Sequence, residues 1–153
     1  MIAPGSPAPD FTLPDQDGNT ISPADFLGRT VVLVFYPSDF SPVCTDQLKV
    51  YQDVLGEFER RGARLVGISV DNAFCHKAFQ SHLDIEIPLL ADFHPKGEVA
   101  RAYGVWSEDY GVSSRALVLV GPEGEVEWTY RRSPLEIPPP EVIFEALDER
   151  AAA

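Results

Sequence analysis

The segment that most constrains this chain is Thr30-Val-Val-Leu-Val-Phe-Tyr36, followed at once by Pro37-Ser-Asp-Phe-Ser41-Pro42-Val-Cys44. An almost continuous apolar run rich in β-branched residues is the pattern of a strand buried on both faces, so the chain needs a sheet covered on two sides. Ser41 is a favoured N-cap and Pro42 a favoured first helical residue, so a helix begins directly after this strand. Cys44 then falls near the third helical position. Free backbone N–H groups and the positive end of the helix dipole converge there. Such a position favours the thiolate, which is the nucleophilic form of sulfur.

The rest of the sequence supplies the two covers. A helix is expected from Pro42 to about Arg61, with Cys44, Leu48, Tyr51, Leu55 and Phe58 on one stripe and Gly62 as its stop. Cys44 shares that stripe, so its sulfur is expected to be half-sheltered rather than exposed, within reach of small molecules only. Arg64–Val70 reads as a second strand. Asp71-Asn72 caps a helix running to about Leu83, with Cys75, Ala78 and Phe79 on one face. Ile87–Ala91 is a short strand and Lys96–Tyr103 a helix ended by Gly104. Arg115–Val120 and Glu125–Arg131 are strands joined by Gly121-Pro-Glu-Gly124. Pro138-Pro-Pro140 introduces a last helix with Val142, Ile143, Ala146 and Leu147 inward. Upstream, Phe11-Thr-Leu13 and Thr20-Ile21 flank a turn containing Asp17-Gly18, a hairpin signal, and Ser22-Pro23 starts a short helix stopped by Gly28. Strand–helix units followed by a hairpin and a helix predict an α/β fold. It is a three-layer α/β/α arrangement around a central mixed sheet, with residues 1–153 forming one domain.

Charge narrows the function. Asp and Glu number 24 against 12 Lys and Arg, a net charge of −12. Nucleic acid and anionic membrane both require positive patches, so neither is expected as a partner; the acidity itself reads as solubility. The start, Met-Ile-Ala-Pro-Gly-Ser-Pro, has neither the basic nor the apolar region of a secretory signal. No apolar run approaches membrane-spanning length. A reducing, cytoplasmic setting is expected, where two cysteines are reactive, metal-bound or simply buried rather than a permanent disulfide.

The pattern strand, then Pro37-x-x-x-Ser41-x-x-Cys44, then helix resembles the peroxiredoxin signature. Ala8-Pro-Asp-Phe-Thr-Leu13 is similar to that family's N-terminal motif, Gly67-Ile-Ser-Val-Asp71 to its second central strand, and Arg115 stands where the family keeps a catalytic arginine. Tyr103-Gly-Val105 and Gly111-Val-Ser-Ser-Arg115 resemble most the alkyl hydroperoxide reductase E group. The resemblance implies a thioredoxin-like fold with an N-terminal β-hairpin extension. It implies reduction of hydrogen peroxide and organic hydroperoxides at Cys44 through a sulfenic acid, without metal or other cofactor. Pro37 would shield the sulfur, Ser41 steer thiolate and peroxide, and Arg115 stabilise the thiolate and the developing charge together with the amides of Val43 and Cys44. The reductant would be a thiol protein such as thioredoxin or a glutaredoxin-like protein, and a homodimer is expected.

Cys75 admits two readings. Some peroxiredoxins keep a resolving cysteine on the helix after the second central strand, which would make Cys75 the partner of Cys44 in an intramolecular disulfide. Its place on an apolar helix face equally suits an inert buried thiol. Five residues after Cys44, another place for a resolving cysteine, stands Lys49. His76 beside Cys75, and His94, raise a metal reading, but Cys-x-x-Cys and His-x₃-His spacings are absent; His76 and His82 are expected as packing or surface residues. Gln47 stands where relatives of this family often carry Glu. Two rival functions remain. One is a redox-regulated sensor or binding protein that uses Cys44 oxidation as a switch. The other is a disulfide oxidoreductase, which normally needs a second cysteine where Gln47 stands.

Overall fold

A computed structural model describes residues 1–152. A five-stranded sheet forms its centre. Strand β3 (Thr30–Phe35) is the strand foreseen from its apolar run, and all six of its residues are buried. It pairs in parallel with β4 (Ala63–Ser69), which pairs in parallel with β5 (Leu89–Ala91). On its other edge β3 runs antiparallel to β8 (Ala116–Val120), and β8 antiparallel to β9 (Val126–Arg131), so the sheet is mixed. Two short strands, β1 (Leu13–Pro14) and β2 (Thr20–Ile21), form the N-terminal hairpin.

The odd and even residues of β3 feed two separate cores, as the pleat dictates. Val32 and Val34, followed by Tyr36, pack with Cys44, Leu48 and Tyr51 of α1 (Pro42–Asp53), Phe79 of α3 (Ala73–Leu83) and Ile143 and Leu147 of α5 (Pro140–Ala152). Val31, Leu33 and Phe35 pack with Phe11 and Leu13 of the N-terminal segment and with Val99 and Ala100 of α4 (Glu98–Ala102). Helices therefore cover both faces, in the thioredoxin-like three-layer arrangement. Among the described residues no helix is long and apolar enough to cross a membrane.

Three local expectations are corrected. The helix expected over 42–61 is two helices, α1 and α2 (Leu55–Arg60), broken at Val54, whose N–H bonds back to the Tyr51 carbonyl at 3.3 Å. A β-branched Val54 and a Gly56 beside the break are both weaker helix formers than Ala. The break keeps Tyr51 and Phe58 fully buried while Leu55 is only half-buried. Helix α3 turns His76 and Phe79 inward, not Cys75 and Ala78; Ala78 is exposed and Cys75 half-buried. An unforeseen hairpin of β6 (Trp106–Ser107) and β7 (Val112–Ser113) precedes Arg115. Trp106 and Trp128 are half-buried and Tyr110 is exposed.

Candidate active site

Strand β3 ends at Phe35, a loop of six residues follows, and Pro42 starts α1, so Cys44 is the third residue of that helix. The first helical bond is made by the Thr45 N–H to the Ser41 carbonyl, at 2.9 Å. The amides of Val43 and Cys44 precede it and have no acceptor within the helix. Ser41 holds the N-cap position with extended backbone, but its hydroxyl does not cap. It donates instead to the Ser38 carbonyl at 3.0 Å. The capping expected of the Ser41 side chain is therefore corrected: its hydroxyl closes the loop upstream and leaves the start of α1 open.

Arg115 lies between β7 and β8, at the end where β8 pairs with the C-terminal end of β3. This places its side chain over the start of α1, and it is only 3% exposed. Each part of the guanidinium has a separate acceptor. Nε donates to the Pro134 carbonyl at 2.8 Å, Nη1 to Gln47 Oε1 at 2.6 Å, and Nη2 to Cys44 Sγ at 3.3 Å. Among the described residues no carboxylate lies within ion-pair distance of Arg115. A buried cation without an anion is costly, so this geometry accommodates one negative charge on the sulfur. Gln47 is fully buried, and its Nε2 donates to the Tyr51 hydroxyl at 3.2 Å. Tyr51 in turn donates to the Pro138 carbonyl at 2.8 Å. Burial raises Tyr51 far above the usual phenol range, so it remains a neutral donor. Gln47 and Tyr51 thus fix Arg115 from behind, a role the sequence reading did not assign to either.

A cavity of about 700 Å³ opens beside this group. Pro37, Ser41, Val43, Tyr110, Leu135 and Arg115 contribute to its lining, and Arg131 and Arg132 lie along it. No acidic residue lines it, although the whole chain carries a charge of −12. Cys44 itself has no exposed surface and lies beneath this lining. The sequence-derived residues Pro37, Ser41, Cys44 and Arg115 are therefore gathered at one place.

Cys75 belongs to different surroundings. It is the third residue of α3, and its N–H donates to the side chain of the N-cap Asn72 at 2.9 Å. Its Sγ lies 4.0 Å from Asp71 Oδ1, and the two carboxylates of Asp39 and Asp71 lie with that sulfur inside a 4.8 Å cluster. Burial first, and then these carboxylates, push the Cys75 thiol up to about 12. Both cysteines are free thiols.

The sequence reading also missed the loop's own anchor. His76, expected as packing or surface, is fully buried. Its Nδ1 lies 2.7 Å from Asp39 Oδ2 and its Nε2 2.9 Å from the Leu90 carbonyl. The Tyr36 hydroxyl donates to Asp39 Oδ1 at 2.6 Å, and the Asp39 N–H donates to Asp71 Oδ2 at 2.8 Å. Tyr36 lies close against β4 because residue 67 is glycine: a Cβ there would sit 3.1 Å from the Tyr36 ring and 2.7 Å from Leu89. Phe40, which follows Asp39 in the loop, has φ +65. For a bulky side chain that backbone conformation costs about 1–3 kcal/mol and persists only where the surroundings impose it.

Comparison with known proteins supplies the family and the fold. The AhpC/TSA family model matches residues 4–129. The chain belongs to this peroxiredoxin family. Among its relatives are alkyl hydroperoxide reductase E of Mycobacterium tuberculosis, 35% identical over 138 residues and covering 90% of each chain, and the chloroplastic peroxiredoxin Q of Triticum aestivum, 38% identical over 130 residues and covering 84% of this chain. The chain spans only 59% of the length of that plant relative. Among solved structures, Enterococcus faecalis AhpC aligns with a TM-score of 0.90 at 28% identity, over 99% of this chain and 94% of its own. The peroxidoxin BcpB of M. tuberculosis aligns at 0.85 and 27%, over 97% and 98%. The peroxiredoxin signature at Pro37, Ser41 and Cys44, read from the residues alone, thus lies in a peroxiredoxin fold.

Proposed function

We propose that this protein is a thiol-dependent peroxidase that reduces hydrogen peroxide and organic hydroperoxides at Cys44. The observation that carries the reading is the buried Arg115 guanidinium, 3.3 Å from Sγ and without a carboxylate partner among the described residues. In the first step the Cys44 thiolate attacks the terminal peroxide oxygen. An S–O bond forms, the O–O bond breaks, and the departing alkoxide or hydroxide takes a proton to leave as alcohol or water. Negative charge passes from sulfur to the leaving oxygen. Arg115 is already oriented by Pro134 and Gln47, so it can follow that charge without reorganising. The unpaired amides of Val43 and Cys44 supply further donors. Pro37 and Ser41 line the approach, Pro37 excluding water and Ser41 offering a hydroxyl. The apolar lining by Pro37, Val43, Tyr110 and Leu135 supports organic hydroperoxides as substrates.

In the second step a thiol attacks the Cys44 sulfenic acid. An S–S bond forms, the S–O bond breaks, and water leaves. Cys75 is the candidate within the chain. Its thiol is held near 12 by burial and two carboxylates, so it becomes an effective nucleophile only once the first turn of α3 opens. A thioredoxin or glutaredoxin-like protein returns the disulfide to thiols; the cytoplasm is the compartment we assign and a homodimer the assembly.

The test is stopped-flow oxidation followed by peptide mapping. Wild type and Cys75→Ser should oxidise rapidly with one equivalent of peroxide, and Cys44→Ser should not. An intramolecular Cys44–Cys75 disulfide in oxidised wild type supports resolution by Cys75; its absence assigns the second thiol to an external donor. Oxidation of Cys44 that no thiol donor reverses would replace the enzyme with a redox switch.

A further inference from the structure

The mechanism above uses none of the buried polar groups behind the loop Pro37–Ser41. Yet that loop carries two of the site residues and leads directly into Cys44, and its backbone is strained at Phe40, with φ +65. The restraint that imposes this conformation converges on one side chain. Asp39 accepts from the Tyr36 hydroxyl at Oδ1, faces His76 Nδ1 at Oδ2, and gives its own N–H to Asp71. The side chains of Asp39 and His76 have no exposed surface. His76 comes from α3 and also reaches the Leu90 carbonyl of β5. Both ring nitrogens face oxygen atoms, of a carboxylate and of a carbonyl, so the ring is held from two sides. The loop is therefore pinned to the same helical turn that carries Cys75.

We propose that Asp39 and His76 are positioning residues that act as a latch. Closed, it seats Cys44 against Arg115 beneath the cavity wall. Opened, it frees the strained loop that buries Cys44. The oxidation and capture readouts rest on the peroxidase reading; the alkylation readout does not.

The two substitutions that separate the ring nitrogens test it. Gln at 76 can still reach the Leu90 carbonyl but leaves Asp39 without its partner, whereas Asn at 76 offers an N–H near the Nδ1 position. Alkylation of Cys44 by iodoacetamide, located by peptide mapping, reads the latch without any enzymatic assumption. His76→Gln should raise that rate at least tenfold, slow the peroxide oxidation of Cys44 at least tenfold, and speed capture of its sulfenic acid by thionitrobenzoate. His76→Asn should return all three toward wild type. Rescue by His76→Asn is the signature, because a loss of packing at this buried position would change both variants alike. Should His76→Gln fail to fold, Tyr36→Phe removes only one of the bonds to Asp39, and the same changes are expected at about threefold. The latch is overturned if the folded variants alkylate Cys44 within twofold of wild type, or if the Gln and Asn variants change oxidation and capture to the same extent. A wild type that leaves peroxide untouched defeats the peroxidase reading, and the alkylation ratio still decides the latch.

Discussion

Cys44 and Cys75 occupy the same place in two helices. Each is the third residue, each helix follows a parallel strand of the sheet, and each starts from a polar N-cap residue, Ser41 or Asn72. Their surroundings are opposite. Cys44 faces a buried guanidinium at 3.3 Å, whereas Cys75 sits 4.0 Å from one carboxylate and close to a second. The caps differ too: Asn72 accepts the Cys75 N–H, while Ser41 turns away and leaves the first amides of α1 open. A helix N-terminus alone therefore does not decide what a sulfur does here. The charged neighbours brought in from elsewhere in the chain decide it.

The comparison can be broken in several ways. The largest effect is expected from Cys44→Ser, which should abolish peroxide consumption, while Cys75→Ser should leave the first oxidation step within about twofold, both read by stopped flow. Arg115→Met should slow that step by about 10²–10³-fold, the usual consequence of losing one preorganised donor. Arg115→Lys should recover little, since an ammonium cannot hold Pro134, Gln47 and the sulfur at once. Tyr51→Phe removes the hydroxyl that fixes Gln47; at about 1 kcal/mol for one hydrogen bond, the oxidation rate should fall about fivefold. The smallest effect is on the other sulfur. A thiol raised to about 12 is almost wholly protonated at pH 8, so maleimide labelling of Cys75 should keep climbing well above pH 9. Asp71→Asn removes one of the carboxylates that raise it, and labelling at pH 8 should increase a few-fold.

The sequence made the sheet and the reactive centre legible because both are written locally. The apolar run Val31–Tyr36 specifies β3, and Ser41-Pro42 marks the start of α1 without any knowledge of tertiary contacts. Arg115 was found through its resemblance to a family motif; its distance from Cys44 comes from the pairing of β3 with β8, 71 residues apart in the case of the two side chains. Gln47, Tyr51 and His76 were not legible in their roles. Their partners lie 68, 87 and 37 residues away, and hydrophobic periodicity carries no information about a polar pair. The same limit explains the phase of α3. Cys75, Ala78 and Phe79 look like the apolar stripe, but His76 turns inward because Asp39 and the Leu90 carbonyl await it there. The break at Val54 lacked a proline, the one signal that would have marked it plainly.

The most direct test maps where oxygen lands. Wild-type protein is treated with one equivalent of hydrogen peroxide in the presence of dimedone, and every oxidised peptide is identified by mass spectrometry. The account predicts that each product, whether dimedone adduct, disulfide or sulfinic acid, contains Cys44. Oxidation of Cys75 in molecules whose Cys44 remains a free thiol would contradict it.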